Sequence, residues 1–369
     1  MLEYLFITFI VIFCIQFIFY IPIFGRFSFS TNNQKPSSFN NAVSVIICAK
    51  NEAENLEKNL PLLLKQNYSK FELVLINDCS VDNTLEVMEK FNKDFNSLTK
   101  IVDVKPNEQF WGSKKYALTL GIKAASFEHL IFIDADCIPK SDSWISEMTH
   151  HFNNQHNIIL GYGAYKKIKN SFLNKIIRFE TLMTALQYFS YSKIGIPYMG
   201  VGRNLAYTKT LFFENSGFIK HMHIKSGDDD LFVNQAATKT NTTNCISPQS
   251  FTESIPKTSF KDWFQQKRRH ISTASHYKPL HKYLLGLFYF SQIFFWILSI
   301  LLLLFKYQWI AVLSLFTIRL IIHYLIIGIS AKKLNEKDLV LFSPILELFL
   351  ILTQLFIFIK NLVSKPTHW

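Results

Sequence analysis

Residues 43–56, VSVIICAKNEAENL, join an apolar run to a polar segment with helical spacing. We predict a buried strand at 43–48 and a helix at 52–65, and a second strand and helix follow at 71–76 and 84–95. Strands that alternate with helices are typical of a parallel sheet with helices on its faces. The sequence therefore predicts an α/β fold with a Rossmann-like, mostly parallel sheet.

The same alternation continues downstream. We predict a helix at 113–125, a short buried strand at 130–133 and another helix at 144–152. In open parallel sheets, ligands bind beyond the carboxyl ends of the strands. Polar residues that follow the predicted strands therefore define the candidate site: 50–52 after the first, Asn77 and Asp78 after the second, and Asp134 and Asp136 after a third.

Hydrophobic residues make up 49% of the 369-residue chain and charged residues only 18%, which is too apolar for an ordinary soluble enzyme. Four apolar runs are long enough to cross ~30 Å of hydrocarbon: 2–24, 283–305, 309–329 and 339–359. We predict a membrane anchor at 1–25, a polar linker at 26–42, a globular domain at 43–280 and three candidate transmembrane helices within 281–369.

The first and last apolar runs each leave an alternative. The first is predicted to be an anchor rather than a cleaved signal peptide, because no Lys or Arg precedes it and it is longer than a signal core. The last contains Pro344 and Glu347, so a kinked, re-entrant or interfacial segment is the alternative to a full span.

The net charge of +12 lies mainly in the middle domain and beside the apolar runs. Positive residues near membrane segments mark the cytoplasmic side, which predicts a multi-pass protein of the bacterial inner (cytoplasmic) membrane with its domain in the cytoplasm. Membrane lipids or phosphorylated ligands then explain the charge, and no nucleic-acid module is visible. This topology leaves Lys360 and Lys365 outside, against the charge rule.

Residues 131–139, IFIDADCIP, place Asp134 and Asp136 two apart at a strand end, so both side chains can project to one side. Mg²⁺ and Mn²⁺ prefer carboxylate oxygens and commonly share their shell with phosphates. The pair is therefore a candidate divalent-cation site. The alternative is an exposed turn in which the aspartates serve solubility and capping.

Six segments occur in an order that resembles a known family: VSVIICAKNEAENL, VLINDCSVDNT, GSKKYAL, IDADCIP, GDDDLF and QKRRH. Together they resemble the motifs of the family 2 glycosyltransferases, including poly-N-acetylglucosamine synthase-like and lipid glycosyltransferases, over about residues 43–275. The resemblance implies the A-type nucleotide-diphospho-sugar transferase fold and a divalent cation, Mg²⁺ or Mn²⁺. It also implies a nucleotide-sugar donor, which we expect to be a UDP-sugar.

The resemblance assigns residues to the donor. Ala49, Asn51 and Glu52 match the first nucleotide-contacting loop, and Asp78 matches the Asp that binds the nucleoside. The family often has Asp where this chain has Asn77. Helix capping is the alternative role for Asn51 and Glu52.

Further donor contacts follow from the basic motifs and the metal pair. Lys114 matches a position near the diphosphate, with a solvated helix lysine as the alternative and Lys115 as an adjacent competitor. Gln266 and Arg269 match a Gln-x-x-Arg-Trp signature in which Arg269 would pair with phosphate. A membrane-proximal basic patch is the alternative. Asp134 is expected to contact both donor and metal.

The acidic cluster Asp228, Asp229 and Asp230 matches the segment that carries the family's catalytic base. The family's spacing selects Asp228, and an alignment shifted by one residue selects Asp229. An N-cap and acidic first turn before a helix at 231–237 is the alternative, and both roles can hold together.

The acceptor side is expected to include Arg203 and Asn204 from GVGRNLAY, residues 200–207, and His270 from the basic signature. His270 replaces the family's Trp, which weakens any claim of processive polymerisation. An interfacial helix is predicted near 171–193, with a core helix as the alternative.

The resemblance thus implies a membrane-bound, inverting, metal-dependent glycosyltransferase of cell-envelope glycan biosynthesis. Its acceptor would be a lipid, a lipid-linked saccharide or a glycan. The alternative is a non-catalytic membrane scaffold that binds a nucleotide or glycolipid through a degenerate transferase domain. A channel or transporter is disfavoured, because four spans around a large domain offer no evident pathway.

Overall fold

The computed structural model describes residues 1–31, 41–105 and 114–364. They form two compact units. The sheet unit takes its described residues from Asn32–Lys169 and Gly195–Lys257, and the helical unit comprises Met1–Thr31, Asn170–Ile194 and the chain from Thr258. Two stretches of the predicted 43–280 domain therefore lie in the helical unit. Most of the predicted linker, Ser113 of the predicted helix at 113–125, and Lys365 lie outside the described residues.

The described helices fall into both units and are numbered along the chain. They are α1 (Leu2–Ile18), α2 (Gly25–Ser28), α3 (Ala53–Leu64), α4 (Thr84–Asp94), α5 (Lys114–Ala124), α6 (Trp144–Thr149), α7 (Phe172–Lys193), α8 (Lys209–Glu214), α9 (Asp230–Ala236), α10 (Phe260–Thr273), α11 (Pro279–Leu304), α12 (Trp309–Lys333) and α13 (Ser343–Val363).

The strands all belong to the sheet unit. They are β1 (Val43–Ala49), β2 (Phe71–Asp78), β3 (Thr99–Val104), β4 (His129–Phe132), β5 (Cys137–Pro139), β6 (Ile158–Leu160), β7 (Gly163–Tyr165), β8 (Leu205–Thr208), β9 (Thr242–Asn244) and β10 (Thr252–Ser254).

A seven-stranded mixed sheet has the order β3-β2-β1-β4-β8-β6-β9, and a smaller sheet has the order β5-β10-β7. The first four strands of the large sheet are mutually parallel, as predicted for β1, β2 and β4. β8 runs antiparallel to both β4 and β6. Neither β8 nor β3 was predicted: β8 has only four residues, and Lys100 and Asp103 interrupt the apolar residues of β3.

The core of the sheet unit forms where helices cover the sheet. Leu56, Leu60 and Leu63 recur on one face of α3 and are buried, in the same cluster as Val45 and Leu73 of the sheet. Burial of each Leu side chain stabilises the fold by about 1.5–3 kcal/mol. The apolar run that opened the domain is therefore the centre of its core.

The register of the parallel strands brings three loops to one edge of the sheet. Ala49 lies opposite Asn77 in the pairing of β1 with β2, and Ile46 lies opposite Phe132 in the pairing of β1 with β4. The carboxyl ends of β1, β2 and β4 therefore coincide, and the polar residues that follow them share this edge.

Four helical segments of the helical unit are long and apolar enough to cross a membrane: Leu2–Ser28, Pro279–Leu304, Trp309–Lys333 and Lys337–Val363. Pro344 stands in the first turn of α13, so the interior of that helix contains no proline. A first-turn proline loses no helical hydrogen bond. Lys337–Phe342 precedes it as a 3₁₀ helix.

Glu347 lies buried among these apolar helices and is fully paired. It accepts hydrogen bonds from Arg319 at 2.6 and 2.8 Å, from Gln292 at 2.7 Å and from the Tyr20 hydroxyl at 3.0 Å. A charge in an apolar bundle requires such partners. The network connects the first, second and third apolar helices to α13.

The predicted helix near 171–193 is present as α7, and most of its side chains are buried. Even Arg178 is buried, where it pairs with Glu336 and with Asp338 at 2.6 Å. Burial on several faces of α7 favours the core-helix alternative over a helix resting on the membrane surface.

Candidate active site

Asp134 and Asp136 follow β4 and lie close together, with Ala135 buried between them. One ligand atom from each of Asp134, Asp136 and Cys137 lies within 4.8 Å of the other two. The Cys137 thiol donates to Asp136 Oδ1 at 3.3 Å, and burial raises the pKa of that thiol, so it remains protonated. The two carboxylates therefore supply the oxygens that fit Mg²⁺ or Mn²⁺.

Lys114, the first residue of α5, joins this pair to the acidic cluster. Its Nζ lies 2.8 Å from Asp134 Oδ1 and 3.1 Å from Asp228 Oδ2. Burial lowers the pKa of Lys114, but the charges of Asp134 and Asp228 outweigh it and raise the pKa well above its ordinary value. The solvated-lysine alternative is thus not what the structure contains, since Lys114 is a half-buried cation paired with two carboxylates.

The two aspartates of the candidate metal pair differ in proton affinity. Burial raises the pKa of Asp134, yet Lys114 lowers it more, and the net pKa lies below its ordinary value. Burial and the charge of Asp134 raise the pKa of Asp136. Each carboxylate is therefore stabilised by nearby positive charge, and a divalent cation would provide that charge to both.

Arg203 provides further positive charge beside this pair. It donates to Ser254 Oγ at 2.9 Å and to the Ala164 carbonyl at 3.3 Å, and its guanidinium lies 4.2 Å from the centre of the Tyr165 ring. Burial lowers the pKa of Arg203, but neighbouring groups including Asp136 raise it overall. Arg203 is therefore a fixed cation.

The three consecutive aspartates have three different environments. Asp229 accepts backbone hydrogen bonds from Gly202 and Asp230, each at 2.7 Å, and caps α9. Burial and the neighbouring carboxylates raise the pKa of Asp229 to about 7. Asp230 is buried and accepts from Leu231 N at 2.7 Å. Asp228 alone of the three contacts Lys114.

The first two loops of the sheet edge are tied to each other. Asn51 has a left-handed backbone with φ 57° and accepts from Val81 N at 2.8 Å. Glu52 N donates to Thr84 Oγ1 at 2.9 Å. Glu52 stands at the N-cap of α3 but its side chain makes no capping hydrogen bond, and the Ala53 N–H donates to Asp82 at 3.3 Å. Asn51 therefore shapes the loop rather than capping the helix.

Asp78 lies at the end of β2 and is buried. Burial raises the pKa of Asp78, and the charges of Lys50 and Lys114 partly oppose that rise. Cys48 lies within electrostatic range of Lys114, Asp78, Asp228 and Asp134. Asp78, the pair Asp134 and Asp136, and the acidic cluster thus lie around one end of β1, whose last residue is Ala49.

Asn204 has its side chain committed to the fold. Its Nδ2 donates to the carbonyls of Tyr162 at 3.0 Å and Ser250 at 2.7 Å, and its Oδ1 accepts from Trp144 Nε1 at 3.0 Å. An asparagine with both amide atoms paired in the core stabilises the loop that carries Arg203. Its role as an acceptor contact stays a prediction.

Gln266, Arg269 and His270 lie on α10 in the helical unit. Burial lowers the pKa of Arg269. The basic tract is not a uniform surface patch, because Lys267 pairs with Glu180 and Arg268 donates to Asn361 at 2.8 Å. The binding of donor by Gln266 and Arg269, and of acceptor by His270, stays a prediction.

Two residues of this region were not singled out from the sequence. Gly202 and Tyr207 line the small cleft with Lys114, Asp134 and Asp228. Both lie inside the GVGRNLAY segment, so the segment contained a signal that these single residues did not. Lys115, named in the sequence as a competitor of Lys114, is buried.

Comparison with known proteins finds similarity over the segment that carries this site. The model of glycosyl transferase family 2 matches residues 44–216, a span that contains Asp78, Lys114, Asp134 and Asp136. This span resembles a family 2 glycosyltransferase domain. Poly-beta-1,6-N-acetyl-D-glucosamine synthase of Staphylococcus epidermidis is 35% identical to this chain over 101 residues, which is 27% of this chain and 23% of that protein.

An uncharacterized glycosyltransferase of Haemophilus influenzae is 34% identical over 127 residues, covering 34% of this chain and 37% of that protein. The chain thus matches only about a quarter to a third of the length of these relatives. A mannosyltransferase from Pyrobaculum calidifontis, solved with GDP-Man and Mn²⁺, has a TM-score of 0.60 at 16% identity and covers 94% of this chain and 98% of its own. The fold is therefore the A-type glycosyltransferase fold with candidate transmembrane helices.

Proposed function

We propose that this protein is an inverting, metal-dependent glycosyltransferase that moves a sugar from a nucleotide-diphospho-sugar to a lipid, lipid-linked saccharide or glycan. One observation carries the proposal. Lys114 bridges Asp134 and Asp228 at 2.8 and 3.1 Å, next to Asp136 and within electrostatic range of the end of β1. A turn that served only solubility would not be expected to share one half-buried cation with an acidic segment distant in the sequence.

Asp134 and Asp136 would hold a divalent cation, Mg²⁺ or Mn²⁺. The bound cation supplies charge stabilisation to the diphosphate leaving group. Lys114 and Arg203 add fixed positive charge at the same place, and both remain protonated. Asp78, at the end of β2, would bind the nucleoside, and a UDP-sugar is the proposed donor.

Asp228 is the proposed general base. It takes the proton from the acceptor hydroxyl while the acceptor oxygen bonds to the anomeric carbon. The bond from that carbon to the diphosphate breaks in the same step, and its electron pair leaves with the nucleoside diphosphate. The Lys114 ammonium lies 3.1 Å from this carboxylate. Asp229 holds the backbone in place through Gly202 and Asp230.

The proposed setting is the bacterial inner membrane with the sheet unit in the cytoplasm. Four apolar helical segments support membrane association. Basic residues at the ends of these helices, such as Arg26, Lys332 and Lys333, support a cytoplasmic orientation. Membrane helices in the same chain favour an amphiphilic acceptor.

Donor hydrolysis by purified full-length protein tests the proposal. The substrates are UDP-N-acetylglucosamine, UDP-glucose, UDP-galactose and GDP-mannose, with Mn²⁺ or with chelator, in the presence or absence of bacterial lipid extract. We expect Mn²⁺-dependent nucleoside diphosphate release from one of them, stimulated by the extract. Asp136→Asn should abolish it, whereas Asp142→Asn, at an exposed position of the same unit, should not. A non-catalytic scaffold would release nothing from any donor.

A further inference from the structure

Lys115 is a buried lysine whose ammonium group is surrounded by backbone carbonyls. Its Nζ donates to His221 O at 2.8 Å, to Ile224 O at 2.9 Å and to Ser226 O at 2.7 Å. Only 1% of the side chain is exposed. One cation thus binds three carbonyls of a single loop, residues 219–227, which enters the acidic cluster.

The loop ends at Gly227, in a turn that fixes the position of Asp228. Gly227 has φ +91°, a left-handed conformation, and a Cβ there would lie 2.5 Å from Leu231 Cδ1. The next residue is Asp228, and the distance from its Oδ2 to Lys114 Nζ is 3.1 Å. Two consecutive lysines at the start of α5 therefore act on one loop, Lys115 on its backbone and Lys114 on its carboxylate.

We propose that Lys115 is a positioning residue that sets the place of the base Asp228 through the loop 219–227. The inference rests on the proposed function, because it assigns Asp228 to proton removal. Three hydrogen bonds from a charged donor are each stronger than neutral ones. A side chain without that charge would remove the lysine donor from the Ile224 and Ser226 carbonyls and would leave the His221 carbonyl with only the backbone N–H of Ile224, so the loop would move to pair them again.

The test compares Lys115→Met, which keeps the length of the side chain, with Lys209→Met. Lys209 also donates to backbone carbonyls of the sheet unit, those of Lys123 and Ala125, and is a matched control. We expect Lys115→Met to lower sugar transfer about 100-fold, the effect of a misplacement near 1 Å. Mn²⁺-dependent donor hydrolysis by water should fall less than about threefold, since the metal pair is untouched.

Hydrogen exchange of the full-length protein provides a readout that needs no substrate. In Lys115→Met, amides of 219–230 should exchange at least about tenfold faster, and those of β1 and β2 should not change. Unchanged exchange in the loop, or equal losses of hydrolysis and transfer, would overturn the assignment. Lys115→Gln replaces Lys115→Met if the latter does not fold. If the wild type transfers no sugar, the proposed function fails while the exchange result still decides the role of Lys115.

A second, independent inference concerns the last apolar segment, Lys337–Val363. At its start, Glu336 and Asp338 pair with Arg178 of α7. Two residues further along α7, Glu180 pairs with Lys267 of α10. One continuous set of ionic contacts therefore leads from the start of the segment to α10.

The end of the segment contacts the same helix. Asn361 accepts from Arg268 Nε at 2.8 Å and donates to Arg268 O at 3.1 Å, and Ser364 Oγ accepts from Arg268 at 3.0 Å. A transmembrane helix has its ends in polar layers separated by ~30 Å of hydrocarbon, and charged pairs are rare in between. Ionic and polar contacts that join both ends through α7 and α10 place those ends in one polar layer.

We infer that Lys337–Val363 does not span the bilayer and keeps both of its ends on the cytoplasmic side, given the proposed membrane setting. Glu347 would then mark the depth the segment reaches, where it meets Arg319 and Gln292. The positive charge of Lys360 would lie on the cytoplasmic side, which removes the breach of the charge rule noted in the sequence.

Cysteine labelling of the intact chain tests this topology. Gln308→Cys reports the turn between α11 and α12, Lys332→Cys reports the end of α12, and Lys360→Cys reports the end of α13; all three positions are exposed. With a membrane-impermeant maleimide on intact bacteria, we expect Gln308→Cys to label, and the other two to label only after lysis. Labelling of Lys360→Cys in intact cells would refute the placement of both ends on the cytoplasmic side. Equal labelling of Gln308→Cys and Lys332→Cys in intact cells would show that α12 does not cross the membrane.

Discussion

Replacing Asp228 and Asp229 separately by Asn distinguishes the base from the residue that supports it. Both changes preserve side-chain shape, but the structure predicts that they affect different quantities, the transfer rate in one case and the stability in the other. Asp228 contacts Lys114 at 3.1 Å, whereas both oxygens of Asp229 accept backbone N–H groups at 2.7 Å. Loss of the base should therefore affect rate, and loss of the support should affect stability.

The magnitudes follow from these contacts. Asp228→Asn removes the proton acceptor, so transfer should fall about 10²- to 10⁴-fold. Asp229→Asn keeps one acceptor oxygen and turns an NH₂ group toward the N–H of Gly202 or Asp230. One buried donor then has no acceptor, which costs about 1–3 kcal/mol of folding free energy. Its effect on transfer should be smaller than that of Asp228→Asn.

Two measurements on purified full-length protein check the pair. Nucleoside diphosphate release with acceptor extract gives the transfer rate, and thermal unfolding in the same detergent gives stability. We expect Asp228→Asn to unfold near the wild-type temperature and Asp229→Asn to unfold at a lower one. The reasoning is refuted if Asp229→Asn loses more transfer than Asp228→Asn while both unfold like the wild type.

Three further predictions concern metal, pH and the helical unit. Chelation should abolish transfer and added Mn²⁺ should restore it, while Asp134→Asn should stay inactive at every Mn²⁺ concentration assayed, because the carboxylate that contacts Lys114 is gone. Burial raises the pKa of Asp229 to about 7, above the ordinary value near 3.9, so the folded state binds this proton more tightly. The stabilisation that this protonated carboxyl provides is complete below about pH 4 and is lost as the pH rises through about 7. The unfolding temperature, measured without divalent cation, should therefore fall less over this window in Asp229→Asn than in the wild type. An equal fall in the two proteins would contradict the assignment. Arg319→Met and Glu347→Leu should each destabilise the helical unit by about 3–5 kcal/mol, because each leaves a buried charge unpaired, and the double variant should be closer to wild type in thermal unfolding. Additive losses in the double variant would show that the pair is not coupled.

Much of the sheet unit could be predicted from local patterns. The apolar runs of β1, β2 and β4 and the periodic helices α3, α4 and α5 are local signals, and the structure contains each of them within a few residues of its predicted bounds. Asp134 and Asp136 follow their strand as expected. The motif order was sufficient to indicate the family, because strand ends carry the ligand-binding residues in this type of sheet.

What the sequence by itself determined, then, is the set of elements, the apolar helices and the residues that can carry chemistry. Tertiary structure decided which of those residues meet. The antiparallel β8 between β4 and β6, the bridge from Lys114 to Asp228, and the contacts of Lys115 with three carbonyls join positions far apart in the chain. The physical reason is that periodicity and strand ends are properties of neighbouring residues. The pairing of a buried charge depends instead on which distant backbone or carboxylate the packed fold brings to it.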